Sequence, residues 1–168
     1  MALSHSQLTT LKSDILADQV LSQIPNTTDG AFEISAAYNA TAVPAFMVWR
    51  QSIEINTIMS NGFDWTVVDN LSVGKSRIWD WMTRVGSINP SLANVRSGIV
   101  QAFSVSGAAD DAMRVSIFGH CAKLASRGEK LFSTGTGVAA NDQGVGPATT
   151  QLSSPISFQD VIDARNLP

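Results

Sequence analysis

Apolar side chains recur at helical spacing over most of this chain, most clearly between Leu71 and Phe132. Ser72 precedes a run in which Ile78, Met82 and Val85 share one face, predicting a helix over 72–86. Asn89-Pro90 then supplies a cap and a proline at a first helical position, where the missing N–H costs nothing. Leu92, Val95, Ile99, Ala102 and Phe103 keep the period behind it, predicting a helix over 90–104. After a break at Gly107, Asp110 and Asp111 place negative charge at the positive end of a third helix, over 110–132. Met113, Ile117, Leu124 and Leu131 form its apolar line, with Gly128 on the same line. Ile99 and Ile117 are the predicted core positions of these two helices.

Upstream, Leu8, Leu11, Ile15, Val20 and Ile24 make a buried stripe and predict a helix over 6–23, with Pro25 just beyond it. Asp29 is placed to cap a second helix carrying Phe32, Ala36, Tyr38 and Ala40, which Pro44 stops. Phe46, Val48 and Trp49 suit a short strand or a buried irregular segment. One isolated strand is not viable, which favours an irregular or helical form for 45–50. Two short helices are predicted, within 52–60 and after Asp64. Beyond Phe132 the character changes. Ser133 to Ser154 holds four glycines and almost no large apolar residue, predicting a loop or extended arm. Ser157 and Asp160 then resemble a capping box ahead of Phe158, Val161 and Ile162. The pattern gives an all-α (mainly) fold: a compact helical bundle over 1–132, with an irregular middle segment, and an extended Gly-rich arm with a short terminal helix over 133–168.

Composition adds one constraint. Charged residues make up only 15% of the 168, against roughly 25% in ordinary soluble domains. Such a chain has few solvated groups to coat its surface, which predicts a homo-oligomer or a tight complex. The formal net charge is −3 and no basic run exists, which argues against a dedicated nucleic-acid binder. The longest apolar run, Ala42 to Trp49, is too short for a bilayer and contains Pro44, so no membrane partner is expected. Residues 1–10 lack the basic patch and apolar core of a secretory signal, and the chain reads as a cytoplasmic product. A single cysteine, Cys121, excludes an intramolecular disulfide and a cysteine metal cage.

Candidate chemistry is sparse. Gly74-Lys75-Ser76 imitates the end of a phosphate-binding loop, but the position of its first glycine is Asp69, whose carboxylate repels phosphate. His120 and Cys121 are adjacent, so on a helix they point about 100° apart and do not face each other. With His5 as the other histidine, no metal site is expected. The chain is therefore expected to have no catalytic residue, no cofactor and no metal. Arg127, Glu129 and Lys130 read as a solvated face or an intersubunit salt-bridge site. Trp79 and Trp81 are two apart, so one of them leaves the buried face of its helix and becomes available to an interface. Phe158, Val161 and Ile162, with Arg165 for a partner carboxylate, are the other candidate partner-binding residues, since a chain end with no role stays polar.

The stretch Val73-Gly74-Lys75-Ser76-Arg77-Ile78-Trp79-Asp80-Trp81-Met82 resembles a segment of small structural proteins of tailed bacteriophages. So do Asn94-Val95-Arg96-Ser97-Gly98-Ile99, Ala125 to Phe132, Leu8 to Lys12 and Pro44 to Arg50, so that the resemblance covers most of the chain outside the glycine-rich segment. Size and helical character are similar to the head-to-tail adaptor (connector) proteins of such phages. That resemblance implies a ring of twelve copies beneath the portal protein, a terminal extension docked on the portal or a neighbouring subunit, and contact with the next neck or tail component. It also implies double-stranded DNA passing through the ring without sequence-specific contact, and a location at the head–tail junction of the virion after synthesis in the host cytoplasm. A capsid decoration or tail-completion protein, or a small nucleic-acid-associated regulatory protein, are the competing implications.

Overall fold

A computed structural model describes residues 2–104 and 107–168. About 52% of it is helical and the strands are few and short, so the chain is mainly α. In chain order the elements are α1 (His5–Ala17), a 3-10 turn (Leu21–Gln23), α2 (Thr28–Asn39), β1 (Met47–Trp49), β2 (Ile53–Glu54), α3 (Ile55–Ile58), α4 (Trp65–Asp69) and α5 (Val73–Thr83). There follow β3 (Ser87–Ile88), α6 (Ala93–Ala102), α7 (Ala108–Cys121), β4 (Ala122–Leu124), α8 (Arg127–Leu131), β5 (Ser133–Thr134), β6 (Thr149–Thr150) and α9 (Phe158–Arg165).

These elements form two compact units, and neither coincides with residues 1–132 or 133–168. The first unit is Met1–Ala45, Ala125–Phe132 and Gln151–Pro168; the second is Phe46–Leu124 and Ser133–Thr150. The presumed arm is thus divided between two cores.

In the first unit, α1, α2, α8 and α9 enclose Leu11, Ile15, Ile34, Tyr38, Ile156 and Val161. Ser4 and Ser157 each cap their helix through a capping box, which fixes where α1 and α9 begin. Thr27, not Asp29, caps α2, and Asp29 occupies its first turn. The helix predicted over 6–23 breaks at Asp18, whose carboxylate accepts from the backbone N–H groups of Val20 (2.8 Å) and Leu21 (3.0 Å). An aspartate that serves local N–H groups in this way competes with helix continuation. The two chain ends are tied together: Leu3 N–H donates to Asp160 Oδ1 (3.1 Å) and Lys12 Nζ to the Leu167 carbonyl (2.6 Å).

The second unit is built on α5, α6 and α7 around Trp79, Ile99, Phe103, Met113, Ile117 and Phe118. Ile99 and Ile117 are fully buried, as their spacing predicts. On α5 the buried position is Trp79, while Val85 stays outside, so the inner face is rotated from the one the Ile78, Met82, Val85 spacing indicates. Helix α6 starts at Ala93 rather than at Pro90, because Asn89 Oδ1 closes a turn with Ser91 N–H (3.0 Å) and Ser91 Oγ (2.6 Å). Arg96 holds that turn by donating to the carbonyls of Pro90 (2.7 Å) and Ser91 (2.9 Å).

The long helix predicted over 110–132 is three elements. Helix α7 ends at Cys121, Ala122–Leu124 becomes β4, and Ser126 with Glu129 forms a capping box that starts α8. The cause lies at 47–49, a strand and not the irregular segment expected. Met47 pairs with Leu124, Val48 with Lys123 and Trp49 with Ala122, antiparallel. On its other edge Trp49 N–H donates to the Ala148 carbonyl (2.9 Å) and Ala148 N–H to Met47 (2.9 Å). The strand is not isolated; its partners come from inside an apparent helix and from the glycine-rich segment.

That segment is a pinned hairpin-like excursion rather than a free arm. Ser133 pairs with Thr150 and Thr134 with Thr149 at its base. Farther out, Val138 N–H donates to Gly146 (3.2 Å) and Asn141 N–H to Val145 (3.0 Å). Arg114, buried on α7, donates from Nε to the Asp142 carbonyl (2.9 Å) and also binds Asp111 and the Phe103 carbonyl. Backbone bonds to β1 and one buried guanidinium supply what the missing apolar side chains do not. Gly137 is required here: its φ is +70°, and a Cβ would lie 2.0 Å from the Phe46 ring.

Two substitutions test this packing by chemical denaturation. Ile117→Ala lowers stability by about 2–5 kcal/mol. Gly137→Ala, strained at positive φ and in collision with Phe46, also destabilises, and it raises amide exchange across 133–150 first; unchanged exchange there contradicts the pinned excursion.

Candidate interaction surfaces

In the first unit Arg127 gathers the charged groups. Its Nη2 donates to Asp14 Oδ2 (2.8 Å) and its Nη1 to Asp18 Oδ2 (2.8 Å), and its guanidinium stacks 4.7 Å over the Tyr38 ring. Tyr38 Oη in turn donates to Asp14 Oδ2 (2.6 Å). Capping by Ser126 starts α8 at Arg127, which places the guanidinium opposite the last turn of α1. The cluster borders an open cleft of about 710 Å³ with Thr41, Val43 and Lys130. Backbone N–H of Leu21, then Arg127, hold the Asp18 carboxyl at about 2, while burial and the Asp14 carboxylate push the Tyr38 phenol up. Both bonded guanidinium nitrogens are engaged and the Asp18 carboxylate stays ionised. The group is an ion-pair clamp between α1, α2 and α8, in which two aspartates share one guanidinium. Arg127 and Glu129 serve their own unit, as ion-pair partner and capping residue.

The second unit separates the two tryptophans of α5. Trp79 is 3% exposed, stacked on Phe63 and edge-on to Phe103 at 5.1 Å, so it is core and not a partner contact. Trp81 is 69% exposed. Val73, Arg77 and Trp81, four apart, lie along one outer strip of α5, and Arg84 and Val85 follow, all exposed.

The terminal helix is placed differently from expectation. Val161 is fully buried in the first unit, Ile162 is half-buried against the same core, and Phe158 stacks on Phe32 with ring centres 4.3 Å apart. Arg165 donates to the carbonyls of Ile24 (2.9 Å) and Pro25 (3.2 Å). The apolar face of α9 therefore completes its own unit, and a docking role for Val161 is corrected by its burial. The sequence contrast was real, but an amphipathic end has the same signature whether it covers a partner or its own core.

Lys75 sits in the first turn of α5, preceded by α4 and a short link where a phosphate-binding loop has a strand. His120 Nε2 meets the Asn61 carbonyl at 2.9 Å, and Cys121 is buried, which pushes its thiol up to about 12. His5 is an exposed residue at the start of α1. Among the described residues no group of three or more His, Cys, Asp or Glu side chains is arranged to hold a metal ion, and no helix is long and apolar enough to cross a membrane. No protein-family model, curated protein or solved structure matches this chain.

One surface was not singled out from the sequence. Asp29, Phe32, Glu33 and Ala36 share the outer face of α2, all exposed, with no cation in that helix. The 29–32–33–36 spacing carried the signal, but Phe32 reads as core until the positions of Ala31, Ile34 and Tyr38 fix the inner face.

Because Asp18 loses its proton more readily in the fold than in the unfolded chain, its contribution to stability is complete above about pH 4 and is lost as pH falls towards about 2. Arg127→Gln raises the Asp18 midpoint, read by carboxyl NMR titration, and shifts acid unfolding to higher pH. Deleting residues 155–168 removes Ile156, Val161 and Ala164 from the first unit's core and unfolds it, read as loss of its amide protection; retained protection contradicts the placement of α9.

Proposed function

We propose that this chain is a structural subunit of a tailed-phage virion, a head-to-tail adaptor that forms a ring of twelve copies beneath the portal protein. The observation that carries the proposal is the stretch Val73–Met82. It resembles a segment of phage structural proteins, and it forms a helix whose outer strip holds Val73 and Trp81 in solvent. Large exposed apolar side chains on a chain with 15% charged residues fit a protein whose surfaces are covered in an assembly. On this proposal the role is interaction: Arg127 is engaged by Asp14 and Asp18 within its own unit, and the Cys121 thiol is buried and protonated.

On this proposal each copy contacts two neighbours, the portal on one side and the next neck or tail component on the other, and double-stranded DNA passes through the ring without sequence-specific contact. A modest net charge of −3 suits a channel wall over which DNA slides. On this proposal the terminal helix has no docking role, since Val161 belongs to a core. The surfaces offered to partners are the exposed faces of α2 and α5.

The test is the mass and symmetry of the purified protein, alone and mixed with the portal protein of its phage, by native mass spectrometry and electron microscopy. The expected result is a twelvefold ring that co-sediments with portal. A protein that instead coats capsids lacking a portal, or remains monomeric with portal present, overturns the adaptor assignment.

A further inference from the structure

Two exposed faces of this chain are complementary in charge and both are centred on aromatic rings. The outer strip of α5 holds Trp81, flanked by Val73, Arg77 and Arg84; the helix and its C-cap carry three cations, Lys75, Arg77 and Arg84, against one carboxylate, Asp80. The outer face of α2 holds Phe32, 52% exposed, flanked by Asp29 and Glu33, with no cation between Thr28 and Asn39. Phe158 of α9 stacks under Phe32 at 4.3 Å and widens that apolar plateau. None of Arg77, Arg84, Asp29 and Glu33 has an ion-pair partner among the described residues. The α5 face therefore carries an excess of cations, with Asp80 as the one carboxylate of that helix, and the α2 face carries carboxylates alone, each around a large ring, an arrangement in which opposite potentials steer and register an interface.

We propose that the α5 face of one copy docks on the α2 face of the next, with Trp81 seated against Phe32 and Arg77 and Arg84 opposite Asp29 and Glu33. The occupant of each face is a second copy of this chain, because the complement of each face is carried by the other. Two different patches that bind each other make a heterologous contact, which repeats head to tail and closes a ring when the rotation allows. This inference rests on the ring reading above and names the surfaces that build the ring. Buried aromatic rings supply the affinity and the rim charges the direction, since an arrangement of α5 on α5 or α2 on α2 sets like charges together.

The design makes a specific complementation test possible. Arg77→Glu with Arg84→Glu gives a chain with two acidic faces, and Asp29→Lys with Glu33→Lys gives one with two basic faces. Each alone is expected to self-associate at least about a hundredfold more weakly than wild type, by like-charge repulsion. An equimolar mixture is expected to reassemble with alternating copies, because every junction is again opposite in sign. Analytical ultracentrifugation and native mass spectrometry of the full-length chains read the result, with far-UV circular dichroism confirming the fold of each. Trp81→Ser, an exposed change with no ionic group involved, provides a second variant that weakens assembly while leaving the thermal midpoint in place. Wild-type assembly that added salt weakens, lost in each variant and restored by mixing, supports the proposal. Variants that assemble like wild type overturn it while leaving the ring reading intact. Loss in each variant without rescue on mixing also overturns it. A wild-type chain that is monomeric alone but forms a twelvefold ring on portal overturns the contact alone; one that is monomeric under both conditions removes the ring reading as well.

Discussion

A buried three-residue strand has to have both edges paired. Val48 and Trp49 are buried, and backbone N–H and C=O groups left unpaired there would each carry the full desolvation penalty. This constraint reaches across the sequence. One edge of β1 takes Ala122–Leu124, which ends α7 at Cys121; the other takes Ala148, which draws the glycine-rich segment inward. The break after Cys121 and the inward course of the segment at Ala148 both follow from that pairing. Trp49 joins the strand to the helical layer as well, with Phe118 edge-on at 5.9 Å and the Arg96 guanidinium 4.9 Å from its ring.

The first unit solves a similar problem with charge. Its segments come from the start, the middle and the end of the chain, and the middle segment is only Ala125–Phe132. A five-residue helix has little intrinsic stability. Helix α8 holds its place through a capping box, through Arg127 clamped between Asp14, Asp18 and Tyr38, and through Gly128, where a Cβ would lie 2.7 Å from Ile156 Cδ1. The close approach of α8 to Ile156 also explains why Gly128 fell on the apolar line of the supposed long helix. It faces a core, but the core of the other unit from Ile117.

What was legible in the sequence follows from locality. Capping residues act within three positions, so Asp64 and the Ser157–Asp160 box marked real helix starts. The periodic cores at Ile99 and Ile117 were equally plain. Boundaries set by distant partners were not. Residues 122–124 carry a helical pattern and became a strand because β1 needed an edge. The Ser126-x-x-Glu129 box was visible and would have signalled a fresh helix there; the apolar line running past it masked the signal. Asp18 and Asn89 are the same lesson at smaller scale, since a side-chain oxygen that serves nearby N–H groups stops or delays a helix that hydrophobic spacing alone extends. For the candidate surfaces, the Trp79 and Trp81 spacing foretold that one ring would be outside, but only the packing of α5 against α6 decides which.

The scarcity of charge gives those outside groups their weight. Interior duties consume part of a small stock: Arg114 binds Asp111 and Asp142, Arg127 binds Asp14 and Asp18, and Asp160 caps α9 while accepting from Leu3. Arg165 is committed to backbone carbonyls, and Arg96 to a turn beside Trp49. Ionic groups that remain in solvent are few enough that their distribution matters. On α5 and its cap they are mostly cations, and on α2 they are carboxylates only. A charge-rich surface would blur such a difference by interspersing signs. Here two helices keep opposite signs around exposed rings, so orientation in an assembly can be specified by a handful of residues.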